Sequence, residues 1–169
     1  MAQQQPIQVA LTIAGRRYEA DLATQTHIPA DADGLSQALA DGPGLFAWWA
    51  SLEAWALGQE EAAKKAKETC YAEFYLFYEA SLSRSAEDKR DKPTVDRVRS
   101  AVVMDKRYQA AWDNWIKASE AAGLAKAGRR GMEERREHLL ELARNYRAEL
   151  EVQLRDAVKA MRGFTRGRA

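Results

Sequence analysis

The chain has 169 residues, and 30% of them are charged, yet its formal net charge is only +1. This length suits one domain with a sizeable core, and the balanced charge excludes a global field that would draw the protein onto nucleic acid or membrane. The charge is uneven, however, because residues 1–63 carry a net −6 and residues 126–169 a net +5. The basic rear segment favours contact with a polyanion.

Cysteine content and hydropathy point to a cytoplasmic protein. Cys70 is the single cysteine, which excludes an intramolecular disulfide, and its helical surroundings predict a small buried hydrophobe. The sequence has no run of 18 apolar residues. The N-terminus lacks the basic region and apolar run of a signal peptide.

The first predicted element is a β-hairpin over residues 7–22. Apolar and polar residues alternate on both sides of the turn signal Ala14-Gly15-Arg16. A lone hairpin is marginal in water, so it must pack on helices or pair with another subunit. Residues 23–33 read as a loop. We therefore predict an N-terminal appendage, 1–33, before a helical domain over 34–162.

Two helices are predicted next. Residues 35–40 form a short helix with Asp33 as a candidate N-cap, and Gly42-Pro43-Gly44 should break it. A long helix then spans residues 45–84. Trp48 and Trp55 belong to one stripe of that helix, and Phe74 and Tyr78 continue the apolar pattern.

The rear half is predicted to be helical as well. Residues 85–93 read as a charged linker, and Thr94 is a good N-cap for a helix over 95–104. A further helical stripe contains Trp112 and Trp115, and three glycines should loosen it at positions 123, 128 and 131. The basic tail, 163–169, should fray. The predicted fold class is mainly α: an N-terminal hairpin followed by long antiparallel helices that oligomerise as a helical hairpin or bundle.

The aromatic run over residues 71–78 supports two interpretations. Five of these eight residues are aromatic, and cations precede them. Such rings can stack on unpaired bases, but spacing by three and four residues is also what helix packing requires. The spacing favours a core or subunit interface. The residues predicted for that interface are Trp48, Trp55, Phe74, Tyr78, Trp112 and Trp115.

Residue types for catalysis are missing from the pattern. His27 and His138 have no second histidine or cysteine at ligand spacing, and no phosphate-binding glycine loop or nucleophile elbow occurs. We expect no enzyme, no metal and no cofactor. A nuclease or annealing subunit ranks last, because the carboxylate clusters that hold catalytic metals are missing.

Basic residues form the candidate nucleic-acid site. Their contacts with phosphates would release counterions, so binding would be sensitive to salt. A solvated helix face is the alternative for each group, and sequence cannot show exposure. The predicted DNA-binding residues are Lys64, Lys65, Lys67, Arg97, Arg99, Lys106 and Arg107. A further basic group, Arg162, Arg166 and Arg168, lies in the tail.

The order of several segments resembles the UvsY-like recombination mediator family of tailed phages, over about residues 40–150. The resemblance begins with Leu45-Phe-Ala-Trp-Trp49 and a long helix that ends in Phe77-Tyr78. It continues with Lys92-Pro-Thr-Val-Asp-Arg-Val-Arg-Ser-Ala-Val102, Asp105-Lys-Arg-Tyr108 and the helix of Trp112 and Trp115. It closes with Arg135-Arg-Glu-His-Leu-Leu-Glu-Leu-Ala-Arg-Asn-Tyr-Arg-Ala-Glu149.

The resemblance implies a homo-oligomer that binds single-stranded DNA. Such proteins load a RecA-like recombinase onto strands covered by single-strand-binding protein. Phe77-Tyr78 matches a family Tyr-Tyr pair, whereas Ala72 and Phe74 stand where the family has basic residues. The hairpin has no counterpart in that pattern. The rival hypothesis is a helical structural or scaffolding protein that assembles through its aromatic stripes without nucleic acid.

Overall fold

The computed structural model describes residues 8–85 and 93–166, and the side chains of residues 8–84 and 93–159. Two strands come first, β1 (Gln8–Ile13) and β2 (Arg16–Asp21), followed by a short helix, α1 (Leu22–Gln25). Three further helices follow: α2 (Ala32–Ser85), α3 (Val95–Met104) and α4 (Lys106–Arg166). This confirms the predicted mainly α class with an N-terminal hairpin.

The hairpin turn has the backbone geometry that tight β-hairpins need. Ala14 has φ 50° and Gly15 has φ 74°, both in the left-handed region. Positive φ at the two central residues matches the right-handed twist of the flanking strands. Every second residue of β1 is buried, namely Val9, Leu11 and Ile13. The alternation read from the sequence is therefore the alternation of buried and exposed faces.

The segment after the hairpin differs from the predicted loop over 23–33. Asp21 caps α1, because its carboxylate accepts hydrogen bonds from the backbone N–H groups of Ala23 and Thr24. The N-terminus of α2 is capped by Asp31 and not by Asp33. The Asp31 carboxylate accepts the Gly34 N–H at 2.7 Å, and its carbonyl accepts the Leu35 N–H. These side-chain caps start α1 at Leu22, where a loop was predicted, and start α2 at Ala32, before the predicted start at residue 35.

Helix α2 continues through Gly42-Pro43-Gly44, so the predicted break is wrong. A proline inside a helix costs about 3 kcal/mol relative to alanine. Packing on both sides of the triplet opposes this cost, since Leu35 and Ala38 before it and Trp49 after it are buried. Burial of large side chains outweighs the local preference to stop.

Helix α4 is continuous as well, through all three glycines that were expected to loosen it. It also passes Gly163, where the sequence predicted a frayed tail, and ends at Arg166. Two local predictions hold nearby: α3 spans Val95–Met104, and Thr94 caps it by accepting the Arg97 N–H. Most of the predicted charged linker, residues 86–92, lies outside the described residues.

The contacts divide the chain into two compact units. The first unit contains Ala20–Trp49 and the described part of the chain from Gly128 onward. Its core is Leu35, Ala38 and Leu139, surrounded by half-buried side chains that include Leu142 and Tyr146. Because early α2 residues meet late α4 residues, the two helices run antiparallel in this unit.

Side chains of α4 also fix the loop before α2 in the first unit. Arg135 Nε donates to the His27 carbonyl at 3.1 Å, and the Tyr146 hydroxyl donates to the Ala30 carbonyl at 2.8 Å. Backbone carbonyls in a loop need such partners when the loop lies against the protein. The loop is therefore held by hydrogen bonds from two different turns of α4.

The second unit contains Val9–Glu19 and Ala50–Ala127. Here the hairpin packs on α2, since the rings of Tyr18 and Trp55 lie 6.2 Å apart. On α3, Val98 and Val102 are buried, whereas Val95 is 52% exposed. Tyr71 meets Tyr108, and the earlier residue Lys67 meets the later residue Trp115, so α2 and α4 run antiparallel in this unit as well.

Substitution of Gly128 by alanine should destabilise the first unit. A Cβ at this position would overlap the six-membered ring of Trp49, approaching its Cη2 atom to 2.6 Å. Overpacking of this kind costs about 1–3 kcal/mol, which outweighs the gain of up to about 1 kcal/mol in helix propensity. Urea unfolding monitored by circular dichroism measures the difference.

Gly123→Ala is the matched control for that substitution. It lies on the same helix, and a Cβ there would meet no atom within 4 Å. This variant should therefore be more stable than the parent, by up to about 1 kcal/mol. Equal effects of the two substitutions would show that the contact between Gly128 and Trp49 does not constrain the packing.

Candidate nucleic-acid interface

The aromatic run of α2 is a packing layer in the second unit. The ring centres of Tyr71 and the buried Tyr108 lie 5.6 Å apart, and those of Phe74 and Tyr78 lie 6.4 Å apart. Tyr71, Phe74, Tyr75 and Tyr78 are each half-buried. Edge-on and tilted pairs at these separations are the preferred arrangements of aromatic rings. Within the described residues, these rings therefore pack on one another and on α4.

Phe77 is the exception among the aromatic residues of this run, because 58% of it is exposed. Its ring is nearly perpendicular to that of Tyr78, with 5.3 Å between the ring centres. The remainder is available to a ligand, unlike the rings turned toward α4.

Asp105 joins three parts of the second unit. It closes the C-terminus of α3, and it caps α4 by accepting the Arg107 N–H at 2.8 Å on Oδ1. Its Oδ2 atom accepts the Tyr78 hydroxyl at 3.0 Å. The Asp105 carboxylate thus connects α2 with the start of α4, and its backbone N–H donates to the Val102 carbonyl at the end of α3. An aspartate placed directly before a helix is the sequence signal that could have indicated this cap.

These hydrogen bonds shift two pKa values in opposite directions. The pKa of Asp105 lies below its ordinary value of 3.8, chiefly because the Arg107 backbone N–H stabilises the carboxylate. The pKa of Tyr78 is raised, chiefly because its hydroxyl donates to Asp105. Deprotonation of that hydroxyl would lose the hydrogen bond and place two anions side by side. Around neutral pH the pair is therefore in its bonded form.

Acid should weaken the second unit through Asp105. A carboxylate whose pKa is lowered by folding contributes stability above its ordinary pKa, and this contribution is lost as the pH falls through the lowered value. Asp105→Asn should therefore reduce the loss of stability on acidification. Urea midpoints at several pH values between about 2 and 6 measure this dependence. Identical profiles of parent and variant would contradict the role of Asp105.

Lys67 has a different position from the other predicted DNA-binding lysines. Its Nζ atom lies 3.7 Å from the centre of the Trp115 ring and 4.9 Å from that of Trp112. Lys67 is half-buried, whereas Lys64 and Lys65 are exposed. A cation held over two indole faces is attracted by their π-electrons. Spacing along the chain does not indicate this pairing, because the partners of Lys67 lie on another helix.

Arg107 combines packing with exposure. Its guanidinium lies 4.2 Å from the centre of the Phe74 ring and 3.4 Å from the Asp105 carboxylate, yet 71% of the side chain is exposed. A planar guanidinium can stack on a ring and still offer N–H groups to a phosphate. Of the predicted cations, Arg107 is thus the one fixed in place while open to solvent.

The remaining predicted cations, Arg97, Arg99 and Lys106, are exposed. Arg97 and Arg99 stand on either side of the buried residue Val98. At about 100° per residue they leave α3 in directions that differ by roughly 200°. The two arginines of α3 therefore do not share a single face.

The predicted interface residues fall into the two units. Trp48 is half-buried and meets Trp49 edge-on at 5.0 Å, and the fully buried tryptophan is Trp49 itself. Trp55 is 55% exposed despite its contact with Tyr18. The ring centres of Trp112 and Trp115 lie 5.5 Å apart. None of the six predicted residues is therefore fully buried within the chain: Trp55 and Trp112 are exposed, and the other four are half-buried.

Other chemistry predicted from the sequence can be located as well. His27 and His138 are exposed, and Cys70 is half-buried, with burial raising the pKa of its thiol. The described residues include no group of three histidine, cysteine or carboxylate side chains placed to hold a metal ion. None of the described helices has both the length and the apolar character needed to span a membrane.

This architecture is that of a mainly α protein with antiparallel long helices and an N-terminal hairpin, and it has a counterpart among solved structures. The crystal structure of the bacteriophage T4 recombination mediator protein UvsY matches with a TM-score of 0.57 at 13% identity. The match covers 76% of this chain and 92% of that chain. No protein-family model and no curated protein matches. The resemblance read from the sequence is thus confirmed for the fold.

Proposed function

We propose that this protein is a recombination mediator that binds single-stranded DNA and helps to load a RecA-like recombinase onto DNA covered by single-strand-binding protein. The observation that carries the proposal is the fold shared with a recombination mediator over 76% of the chain. Its role is to hold and present the strand, without an enzymatic step or cofactor, in the cytoplasm.

Cations of the second unit support DNA binding. Lys64, Lys65, Arg97, Arg99 and Lys106 are exposed, and Arg107 is fixed but open to solvent. Their charges suit the phosphates of a flexible single strand, and each contact would release counterions. Lys67 supports the site chiefly by packing, because its ammonium lies over two indole rings.

Phe77 supplies a further element of the proposed site. It is an exposed ring beside Tyr78, whose hydroxyl is bonded to the same Asp105 that holds Arg107. Exposed aromatic rings near cations bind unpaired bases by stacking, with little sequence preference. The rest of the aromatic run keeps its packing role.

The end of α4 supports homo-oligomer formation. Leu150, Leu154 and Val158 are 56%, 65% and 43% exposed. At about 100° per residue they lie within an arc of roughly 80°, which forms a continuous apolar stripe. Contiguous exposed apolar surface of this kind marks an interaction site. A second copy of the chain is the proposed occupant.

Charge on the α4 stripe should lower the native mass. Replacement of both Leu150 and Leu154 by glutamate places two desolvated charges in the proposed subunit interface. The matched control is Val152→Glu, which is equally exposed at 56% but lies on another face of the helix. Light scattering measures the mass. If the double variant keeps the parent's mass, the stripe is not the interface.

The scaffolding alternative rests on the same exposed apolar stripe. It predicts assembly that does not depend on DNA and no salt-sensitive binding to single strands. A loading assay separates the two functions. A RecA-like recombinase is mixed with a single strand covered by single-strand-binding protein, and its DNA-dependent ATPase is followed. Addition of a mediator should shorten the lag before ATPase activity, whereas a scaffold would leave it unchanged.

A further inference from the structure

A cavity of about 370 Å³ opens in the first unit, between residues 38–46 of α2 and residues 132–140 of α4. Its walls are mainly apolar, and the large side chains among them are Leu39, Phe46, Met132, Leu139 and Leu140. We call it the α2–α4 groove. None of the cations proposed for DNA binding lines it.

The groove owes its space to the triplet that failed to break α2. Gly42 and Pro43 both line it, and neither has a long side chain. A Cβ added at Gly42 would meet no atom within 4 Å. The triplet thus leaves an apolar floor open where a larger residue would fill it.

The charges on the groove are of one sign. Among the described residues that line it, the charged ones are Arg135 and Arg136, and none is a carboxylate. Arg135 uses Nε for the His27 carbonyl, which leaves its terminal nitrogens for other partners. Arg136 is exposed. The neighbouring Glu134 is paired with Arg130.

We propose that the α2–α4 groove docks an acidic segment of a partner protein, one that carries a bulky apolar side chain. The apolar floor takes that side chain, and the two guanidinium groups bind flanking carboxylates, with which they form strong paired hydrogen bonds. Ligand cavities run from about 300 to 1,000 Å³, so this one suits one or two side chains. A docked helix needs anchors along several turns. The size therefore favours a short segment over the helix of a second copy.

Fluorescence polarisation with a labelled ten-residue peptide tests the proposal without DNA. The peptide consists of aspartate and glutamate around one phenylalanine and one leucine. One control peptide has serine in place of the two apolar residues, and another has lysine in place of the acids. The parent should bind the first peptide at least about tenfold more tightly than either control. Equal binding of all three would overturn the proposal.

Variants of the full chain locate the site. Gly42→Leu should fill the groove and weaken peptide binding at least about tenfold, whereas Gly44→Leu, which also has open space but does not line the groove, should not. Arg136→Glu should weaken binding similarly, and the control Arg144→Glu makes the same change of charge outside the groove. Unchanged peptide binding by Gly42→Leu overturns the proposal.

Two further readouts separate this inference from the proposed function. Light scattering of Gly42→Leu should give the parent's mass, and a lower mass would mean that the groove holds a second copy, which also overturns the proposal. Single-stranded DNA binding by Gly42→Leu should be unchanged, because the DNA-binding cations lie in the other unit. If the parent protein binds single-stranded DNA but not the peptide, the docking role of the groove is refuted and the proposed DNA-binding function is not.

Discussion

Replacement of Trp49 by alanine should cost about 3–5 kcal/mol of unfolding free energy, the usual range for removal of a buried large aromatic side chain. Trp49 is 0% exposed, and its indole lies against Gly128. Its Nε1–H also donates to the Gln25 side chain at 2.9 Å. The substitution would thus leave a cavity between the helices of the first unit and deprive Gln25 of its partner.

Trp55→Ala is the control for that experiment. Trp55 lies on the same helix but is 55% exposed, so the loss should be well below that of Trp49→Ala. Chemical unfolding at several protein concentrations gives both values and separates them from any effect of association. If Trp55→Ala lost more unfolding free energy than Trp49→Ala, the predicted stripe of Trp48 and Trp55 would be the centre of packing, and Trp49 would not.

Removal of four exposed cations should abolish most of the salt dependence of DNA binding. The variant replaces Lys64, Lys65, Arg97 and Arg99 with alanine. Each phosphate contact with a single strand contributes about 0.7 to the slope of log affinity against log salt, so four contacts should lower it by about 3. The affinity should fall for all sequences alike, because phosphates carry no sequence information. Filter binding from about 50 to 200 mM salt measures both quantities.

A second variant with the same change of charge is the control. Arg16, Lys117, Lys126 and Arg144 are exposed and lie outside the predicted site. Their replacement by alanine should change the slope much less. If both variants lose slope equally, the binding follows total charge and the proposed site is not specific. Lys67→Met should lower the free energy of unfolding, because Lys67 packs on Trp115. The same substitution should change the salt slope of DNA binding little.

The parts of the fold that are visible in the sequence are those set by local interactions. The alternation of apolar and polar residues predicted the hairpin correctly, because each buried residue of β1 is two positions from the next. Thr94 gave the start of α3, because a threonine side chain can reach the N–H three residues on. In both cases the decisive hydrogen bond or turn joins residues close in sequence.

The predictions that failed depend on contacts between distant residues. Gly42-Pro43-Gly44 is a stop signal by itself, and only packing of α2 on α4 carries the helix through it. Trp48 and Trp49 are neighbours on the helix surface, so spacing alone could not decide between them. The choice depends on Gly128, far away in sequence, which leaves room for the Trp49 ring.

The candidate site shows the same division. The cations of the site could be predicted from the sequence, since lysines and arginines are identified by residue type alone. It could not distinguish Lys67, which packs on Trp112 and Trp115, from the solvated Lys64 and Lys65. It also could not reveal that Asp105 ties Tyr78 of α2 to Arg107 of α4. Exposure and partners follow from the fold, which the sequence shows only in part.

Native mass measurement with and without an oligo-dT strand is the direct test of single-stranded DNA binding. We expect a homo-oligomer that gains the mass of bound strand at about 50 mM salt and releases it as the salt rises. A chain that gains no mass from the strand at the lowest salt would contradict single-stranded DNA binding. The mediator function would then be untenable, and assembly without nucleic acid would be the better description of this protein.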